Sequence, residues 1–310
     1  MVTQNSVALL LVFYESEQYL NNLFFSLKCQ SFKNYKIYAI ENSTAQSSIA
    51  KLSDSFHDAV VFPYQGNIGF AGANNLLAKK AVVDGCQYLF ILNPDMELTE
   101  NTISEFYSLL ENNKNAAACS GVILFGNEKK GQDIIQLFGQ KINFLNQHKE
   151  FLFAQKKLFD VELPDTLPVD FVNGGSLFIR SKIVEKIGLF NEDYFMYNDE
   201  IDLAYRIKKL EKSVLVTSKT KIYHHHDWTA SNRKGYYLMY YYMMRNRILF
   251  FKNHKLFFSL ILDLLKQLIS IPVTINWLIK LAGFKLVGFY YSGLINGILG
   301  EKYKTKKEFV

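Results

Sequence analysis

The feature that most constrains the fold of this chain is the alternation of short apolar runs with helical periodicity over its first 125 residues. Val7–Phe13 and Tyr88–Leu92 are apolar runs without a break, which are typical of strands buried on both faces. After the first run, apolar residues recur at i, i+3, i+4 and i+7 from Leu20, which is the pattern of one helix face. Strands that alternate with helices predict an α/β fold, in which helices flank a mostly parallel sheet.

The rest of the chain follows these patterns less regularly. Residues 125–168 mix Gly, Lys, Gln and aromatic residues without a clean period, so we expect a variable loop or insertion there. From residue 235 onward the pattern is helical. The other strands are predicted at 35–40, 59–62, 116–124, 171–179, 213–217 and 220–225, and the other helices at 71–83, 103–110 and 199–209.

Positive charge and apolar side chains are both concentrated near the C-terminus. Residues 245–310 carry a net charge of +8, whereas residues 1–244 carry −2. Two apolar stretches, 256–262 and 267–279, are too short and too often flanked by charge to predict a membrane-spanning helix, so we expect interfacial or buried helices. The mildly acidic body argues against binding to nucleic acid.

The cysteine content argues against a disulfide framework. Cys29, Cys86 and Cys119 are odd in number and form no close pair in the sequence. We expect all three to be small buried hydrophobic residues in a reducing cytoplasm.

Acidic residues stand where two of the predicted strands end, which is where open α/β sheets bind ligands. Asp95, in LNPDMEL, follows strand 88–92 and is a hard oxygen ligand suited to Mg²⁺ or Mn²⁺, with a turn or helix-capping acid as the alternative. Glu41 follows strand 35–40, with a solvated loop acid as the alternative. The glycines of the segment 66–72 lack the spacing of a dinucleotide-binding loop, and the chain has no P-loop motif.

Three acids, Asp199, Glu200 and Asp202, fall within four residues and repel one another unless a cation or a donor uses them. On a helix, Asp199 and Asp202 share a face, whereas Glu200 points elsewhere. Arg206 lies four residues after Asp202, so we expect Asp202 to be held by Arg206 and Glu200 to face a substrate. The alternative is the ordinary preference for acids at a helix N-terminus.

The histidine run, His224 to His226, predicts one ligand of a Mg²⁺ or Mn²⁺ diphosphate site, with plain exposed polar residues as the alternative. A zinc site is disfavoured because no second ligand cluster at zinc-like spacing exists. On a strand, His224 and His226 share a face and His225 points the other way. The run 236–247 is rich in tyrosine and includes Arg245. We expect this run either to border an acceptor or lipid-diphosphate site or to pack the C-terminal region against the rest of the chain.

Taken in order, these segments resemble family 2 glycosyltransferases of the GT-A fold, in particular the bacterial rhamnosyltransferase-like branch. The resemblance covers about 250 residues. The matching segments include AIENSTAQSS (39–48), NIGFAGANN (67–75), LNPDMEL (92–98), FVNGGSLFIR (171–180), FNEDYFMYNDEIDLAYRIKK (190–209), KIYHHH (221–226) and YYMMRNRILFFKNH (241–254).

The resemblance implies roles for the matched residues. Glu41, in place of the usual Asp, would bind the base or ribose of a nucleotide, and Asp95 would be the last acid of a metal-binding DxD-like motif. Glu200 would be the catalytic base, with Asp199 as the alternative because the usual order of the two acids is inverted. His224 or a neighbour would lie near the metal and the diphosphate. Residues of the same segments would bind the nucleotide sugar: Asn42, Asn67, Gly69, Asn74, Asn93 (in place of the first Asp of DxD), Gly174 and Gly175.

The resemblance also implies an activity and a division of the chain. A GT-A catalytic domain would span 1–235, with a nucleotide-sugar half near 1–125 and an acceptor half near 126–235, before a helical region at 236–310. The enzyme would be an inverting glycosyltransferase that uses Mg²⁺ or Mn²⁺. It would move a sugar, with dTDP-rhamnose as the first candidate donor, to a saccharide or lipid-linked acceptor in cell-surface polysaccharide synthesis. Asp202, Arg206 and Arg245 would support the acceptor or the structure.

The basic, apolar C-terminal region predicts a cytoplasmic protein held peripherally on the inner face of the plasma membrane. The competing use of these helices is packing on the body or a homodimer interface. A catalytically silent nucleotide-sugar-binding or scaffold subunit of a polysaccharide assembly complex is the alternative function. A nucleotidyltransferase is disfavoured because acids, in YESEQ, follow the first strand where a basic phosphate-binding loop would be needed.

Overall fold

The computed structural model of the protein describes residues 6–44, 47–63, 66–126, 133–225 and 233–305. The strands are β1 (Val7–Phe13), β2 (Tyr35–Glu41), β3 (Val60–Phe62), β4 (Tyr88–Leu92), β5 (Met96–Leu98), β6 (Ala116–Phe125), β7 (Ile135–Leu137), β8 (Gln140–Asn143), β9 (His148–Phe151), β10 (Thr166–Val169), β11 (Ser176–Arg180) and β12 (Ser213–His224). The α-helices are α1 (Leu20–Lys28), α2 (Ser47–Ser55), α3 (Gly69–Val83), α4 (Thr102–Asn112), α5 (Ser181–Ile187), α6 (Asp199–Lys209), α7 (Arg233–Asn253), α8 (Phe257–Ile269), α9 (Ile271–Ala282) and α10 (Phe284–Leu299).

One mixed sheet has the strand order β10–β12–β6–β11–β4–β1–β2–β3. β1 lies between β4 and β2 and is parallel to both, and β6 is parallel to β12. β11 is antiparallel to β4 and to β6, so it joins the two parallel parts of the sheet. The carboxyl ends of β2 and β4 therefore meet at one edge on either side of β1. The predicted α/β class, a mostly parallel sheet flanked by helices, is confirmed.

The apolar strands bury side chains on both faces of the sheet. Leu10 of β1 packs in a core that includes Leu77 of α3. Its neighbour Leu9 points to the other face, into a core that includes Leu23 of α1 and Phe106 of α4. Because both faces are covered, these strands carry apolar runs without alternation, which is why the sequence predicts them well.

Three expectations from the sequence are wrong in detail. Residues 125–168, expected to form a loop or insertion, contain β7, the β8–β9 hairpin and β10, whose strands of three or four residues are too short to show a period. The strand expected at 171–179 begins only at Ser176, because Gly174 and Gly175 lie in the preceding turn. The two short strands expected at 213–217 and 220–225 are one strand, β12, whose register shifts between Thr217 and Lys221.

The cysteines differ from the prediction at one position. Cys86 and Cys119 are buried, and none of the three is in a disulfide. Cys29 is exposed, because it follows the last residue of α1.

The helical C-terminal region consists of α7 to α10. α10 packs along α7 so closely that a side chain at Gly293 would collide with the carbonyl oxygen of Tyr241. α8 has the opposite polarity pattern to an ordinary surface helix. Its polar residues Ser259 and Asp263 are buried, whereas its apolar residues Phe258 and Ile269 are exposed. No single helix in the described ranges is long and apolar enough to cross a bilayer, and α8 with α9 reaches that length only as a pair bent by 72°.

Candidate active site

Glu41, the last residue of β2, is buried at the carboxyl edge of the sheet and is not the solvated loop acid of the alternative. Its Oε1 accepts hydrogen bonds from the backbone N–H and the hydroxyl of Ser43, at 3.3 and 2.8 Å. Its Oε2 is buried and has no hydrogen-bond partner within the described residues. A buried carboxylate oxygen is stable only when a donor satisfies it, so Glu41 is suited to bind a ligand hydroxyl or N–H group.

Asparagine side chains fasten the segment before α3 to the end of β2. Asn42 Nδ2 donates to Asn67 Oδ1 and to the Gly69 carbonyl, both at 3.2 Å, and Asn42 Oδ1 accepts from the Ile68 N–H at 3.0 Å. Asn67 Oδ1 also accepts from the Gly69 N–H. These two amides hold the loop in place. Their contact with a nucleotide sugar stays a prediction.

The start of α3 depends on a glycine. Gly69 has a φ of +79°, and a side chain there would collide with the carbonyl oxygen of Phe195. The Phe70 N–H donates to that same carbonyl at 2.8 Å. One turn later, Asn74 donates to the Phe70 carbonyl, and its buried Oδ1 has no partner within the described residues. This turn thus joins α3 to the segment before α6.

The ends of β4 and β11 meet at Asn93 and Gly175. The Asn93 N–H donates to the Gly175 carbonyl at 2.9 Å. A Cβ at Gly175 would lie 2.6 Å from Asn93 Nδ2, so the close approach that requires glycine here is that of the protein's own Asn93. A Cβ at Gly174 would lie 3.8 Å from the Cβ of Glu200 and 3.6 Å from the Phe70 ring. Gly174 is thus the point where β11, α3 and α6 converge.

Asp95 and His224 lie side by side beyond the end of β4. His224 Nε2 is 3.3 Å from Asp95 Oδ2, and His224 Nδ1 is 2.8 Å from Gln136 Oε1. Nδ1 can donate to that amide oxygen, and Nε2 is the ring nitrogen that faces the Asp95 carboxylate. His225 points to the other side and contacts Glu97 at 2.7 Å, whereas His226 lies outside the described residues.

The carboxyl of Asp199 is almost completely buried, and its Oδ1 has no partner within the described residues. Burial, together with the charges of Glu200 and Asp202, raises the pKa of Asp199 well above its usual range. Glu200 is half-buried, and no hydrogen bond or ion pair joins it to another described residue. Of the two acids, Asp199 is the buried one with the raised pKa, and Glu200 is the one that is more exposed.

Asp202 is held by three donors. Its Oδ1 accepts from Tyr194 at 3.1 Å and from His254 Nε2 at 2.7 Å, and its Oδ2 accepts from Arg206 Nε at 2.7 Å. Burial acts to raise the pKa of Asp202, but the hydrogen bond from His254 and the charge of Arg206 outweigh it and keep that pKa below its usual range. The expected Asp202–Arg206 ion pair is present, and both side chains are used within the protein.

The turn before α6 is strained and is held from α7. Three of its residues have φ between +63° and +67°, a backbone conformation that is unfavourable for residues other than glycine: Phe195, Tyr197 and Asn198. Arg245 is completely buried, and its guanidinium donates to the carbonyls of Asp193, Tyr194 and Tyr303. Of the two roles expected for Arg245, support of the acceptor or of the structure, these contacts fit support of the structure.

Asn246, the next residue, supports the same turn. Its Nδ2 lies 3.1, 2.7 and 2.8 Å from the carbonyl oxygens of Tyr194, Met196 and Tyr197. α7 therefore fixes the backbone that leads into Asp199 and Glu200.

A cavity of about 580 Å³ lies next to this turn, between the β8–β9 hairpin and helices α7 to α9. Its lining includes Gln147, Lys149, Asn198, Lys266 and Trp277. Gln147 is buried, and its Nε2 has no hydrogen-bond partner within the described residues. Burial lowers the pKa of Lys149, and the negative charge of Glu200 acts in the opposite direction.

Several of these residues could not be predicted from the sequence. Gln147 and Lys149 lie in the segment expected to be a loop, because hairpin strands of four residues show no usable period. Gln136 lies in the same segment, and His254 contacts Asp202 across 52 positions of the chain. For the contacts of α7 with the turn before α6, the only local signal in the sequence is a polar residue, Asn246, after the tyrosine-rich run.

The chain matches a known protein family and is similar to known proteins. Residues 9–187 match the family model described as glycosyl transferase family 2. The chain is 26% identical over 210 residues to the low-salt glycan biosynthesis hexosyltransferase Agl10 of Haloferax volcanii, a match that covers 66% of this chain and 62% of that protein. The chain thus spans less than two thirds of that relative.

A second relative and one solved structure are similar. Rhamnosyltransferase WbbL of Escherichia coli is 24% identical over 217 residues, covering 65% of this chain and 76% of that protein. The structure of GalNAc-T7 with UDP, GalNAc and Mn²⁺ superimposes with a TM-score of 0.60 and 14% identity, covering 81% of this chain and 48% of that one. At this identity the likeness is one of fold.

Proposed function

This chain belongs to glycosyl transferase family 2, and from that premise we propose that it is an inverting, metal-dependent glycosyltransferase. The GT-A fold expected from the sequence is confirmed by the structural likeness. The donor would be a nucleoside-diphosphate sugar and the acceptor a hydroxyl of a saccharide or lipid-linked saccharide. A rhamnosyl donor is the first candidate and a hexosyl donor the second, because the curated relatives are named as a rhamnosyltransferase and a hexosyltransferase.

The observation that carries this proposal is the environment of Glu200. Glu200 has neither an ion pair nor a hydrogen bond to the described residues, it is less buried than Asp199, and its Cβ lies beside Gly174 at the edge of the sheet. A general base must be ionised and within reach of the acceptor hydroxyl, and Asp199 is disfavoured because it is buried and its pKa is raised. We assign Glu200 to accept the proton of the attacking hydroxyl.

The donor would bind along the edge formed by β2 and β4. The unsatisfied Oε2 of Glu41 supports a hydrogen bond to a ribose hydroxyl or a base N–H group. Asn42 and Asn67 would position the loop from within, since their amides are engaged with it.

The side chains of Asp95 and His224 fit a divalent cation. The imidazole lone pair and the carboxylate are acceptors 3.3 Å apart, which a cation would bind together. The described residues contain no cluster of three or more His, Cys, Asp or Glu side chains, so Asp95 and His224 would hold a Mg²⁺ or Mn²⁺ ion whose other ligands are diphosphate oxygens and water. When bound, the cation would offset the charge that develops on the leaving diphosphate.

We also propose that the protein works at the inner surface of the plasma membrane. The support is the apolar face of α8 and α9, where Phe257, Phe258 and Trp277 are exposed while Asp263 is buried against Arg247 at 3.0 Å. Four lysines near the C-terminus would add attraction to anionic lipid: Lys302 is engaged with Asp193 at 2.9 Å, Lys304 is exposed, and Lys306 and Lys307 lie outside the described residues.

The proposed activity is tested by screening nucleotide sugars for metal-dependent release of nucleoside diphosphate. dTDP-rhamnose, UDP-hexoses and UDP-galactofuranose are incubated with the protein, with Mg²⁺ or Mn²⁺ and with EDTA. We expect release from one donor class that EDTA abolishes. Donor binding without release or transfer under any condition would favour the silent scaffold, and no donor binding at all would contradict the family-based proposal.

A further inference from the structure

The cavity between the β8–β9 hairpin and helices α7 to α9, which we call the hairpin cavity, carries positive charge that the protein does not neutralise. Lys149 and Lys266 line it, and neither forms an ion pair within the described residues. Arg247 also lines it but is neutralised by Asp263. No Asp or Glu is among the described residues of the lining, so an anion would meet two unpaired ammonium groups there.

A buried hydrogen-bond donor adds an independent indication of a ligand. Gln147 is 94% buried, since its exposed fraction is 6%, and its Nε2 has no partner within the described residues. Its Oε1 accepts from Asn198 Nδ2 at 3.3 Å, so the amide group is oriented with its nitrogen still unsatisfied. An unsatisfied buried N–H group is rare and is explained here by an acceptor oxygen of a bound molecule.

The position of the hairpin cavity relates it to the reaction. Asn198, in its wall, directly precedes α6 and is two residues before Glu200. Trp277 of α9 lies in the wall and is also part of the exposed apolar face. The hairpin cavity thus lies between the segment that leads into the proposed base and the apolar helices.

We propose that the hairpin cavity binds the phosphate or diphosphate group of a lipid-linked acceptor. Lys149 and Lys266 hold the charge, Gln147 donates to an oxygen, and Trp277 and Tyr240 contact the apolar chain. This rests on the proposed function, since it names the acceptor that Glu200 would deprotonate. The same chemistry could also come from a phospholipid headgroup, which the experiment separates.

The test uses the fluorescence of Trp277. The chain has two tryptophans, so Trp228→Phe in the full-length protein leaves Trp277 as the only tryptophan reporter. Farnesyl diphosphate is titrated as a short soluble isoprenoid diphosphate, in EDTA to exclude metal-dependent binding at Asp95. We expect saturable binding, with farnesol at least ten-fold weaker because it lacks the charge.

Variants in this background locate the site. Lys149→Met and Lys266→Met should each weaken farnesyl diphosphate binding by about ten-fold or more, since each removes a charge-assisted contact. Lys266 is exposed, so its loss cannot act through misfolding. Lys141→Met is the matched control, because Lys141 lies on the same hairpin but on the opposite face from Lys149, and it should change nothing.

Three results would overturn the proposal. Farnesol could bind as tightly as farnesyl diphosphate, or both lysine variants could bind farnesyl diphosphate as tightly as the wild type. In the third, monomeric dihexanoyl phosphatidylglycerol competes with farnesyl diphosphate at equal concentration. The last would assign the cavity to bilayer headgroups. Donor hydrolysis is measured on the same proteins. A protein that hydrolyses a donor but fails the titration contradicts only the acceptor site, whereas one that binds farnesyl diphosphate but never a nucleotide sugar contradicts only the proposed function.

Discussion

At the residue scale, the three acids at the start of α6 have similar chemistry but different surroundings. His254 and Arg206 lower the pKa of Asp202 in spite of its burial, whereas burial and the neighbouring negative charges raise the pKa of Asp199. Glu200 retains access to a ligand. The division of labour among them therefore comes from burial and contacts, and it can be measured one substitution at a time.

Glu200→Gln should lower turnover by about 10²–10⁴, because general-base catalysis is typically worth that much. Donor binding should be unchanged, since the side chain would act on the acceptor hydroxyl. Steady-state transfer and donor binding are measured together, with Glu185→Gln, an exposed acid on α5, as the control. A larger loss in Asp199→Asn than in Glu200→Gln would move the role to Asp199.

Asp199 should make stability depend on pH in a defined direction. Burial raises its pKa in the folded protein above the usual value of 3.8, so the folded state binds the proton more tightly than the unfolded state. Stability is therefore lost as pH rises above about 4, by up to about 1.4 kcal/mol per pH unit while folded Asp199 stays protonated. Asp199→Asn mimics the neutral form and removes this loss.

Urea unfolding of the wild type and of Asp199→Asn at pH 5 and pH 8 measures this effect. The stability of the variant relative to the wild type should be greater at pH 8 than at pH 5. A difference that stays constant, or that reverses sign with pH, would show that Asp199 is ionised in the folded protein.

Asp95→Asn should keep the fold and lower transfer by about 100-fold or more, since the amide is close in shape but is a weaker cation ligand than the carboxylate. Thermal unfolding and transfer at increasing Mn²⁺ are the measurements. Asp165→Asn, at an exposed position, serves as the control. Transfer that remains near the wild-type level would remove Asp95 from the metal site.

At the scale of elements, the notable feature is a strained turn held by a helix about fifty residues further along the chain. Residues 195–198 adopt left-handed backbone conformations at three positions, each unfavourable by about 1–3 kcal/mol, and they lead directly into α6. Arg245 and Asn246 donate to the carbonyls of this turn. Packing of α7 thus determines where Glu200 points.

Asn246→Ala should therefore act on position as well as stability. The carbonyls of Met196 and Tyr197 lose a donor while that of Tyr194 keeps Arg245, which destabilises the protein by about 1–3 kcal/mol. If the turn positions Glu200, kcat should fall while KM for the donor stays near that of the wild type. A loss of stability with kcat unchanged below the melting transition would make Asn246 structural only.

At the scale of the whole molecule, the apolar face of α8 and α9 predicts attachment to anionic membranes. Removing the tail is a poor test, because α10 packs on α7 and the Tyr303 carbonyl accepts from Arg245. Phe258→Glu with Ile269→Glu is better, since both side chains are exposed, at 75% and 80%, and should not affect folding. Each charge opposes burial of the apolar face in the membrane interface.

Co-sedimentation with phosphatidylglycerol vesicles measures this attachment. We expect the wild type to bind and high salt to weaken the binding, with the double variant released. Val83→Glu, at an exposed apolar position on α3, is the control. A wild-type protein that ignores the vesicles at low salt and sediments as a dimer would assign the apolar face to self-association.

The sequence by itself determined the α/β class, the buried strands and the acids at their ends. Each of these depends on local properties: an apolar run long enough to be read, or polar residues that directly follow it. The acid cluster and the Asp202–Arg206 pair are local in the same way, because one helical turn joins them.

Only the tertiary structure decided which of these residues can reach a ligand. It buried Arg245 and Asp199, brought His254 to Asp202, and placed Gln147 and Lys149 of a short hairpin beside α6. These contacts join segments about fifty or more residues apart, and nothing in the spacing of either segment encodes the other. The burial and the pKa of a side chain depend on such tertiary contacts. Chemistry that depends on burial and pKa therefore cannot be predicted from local sequence.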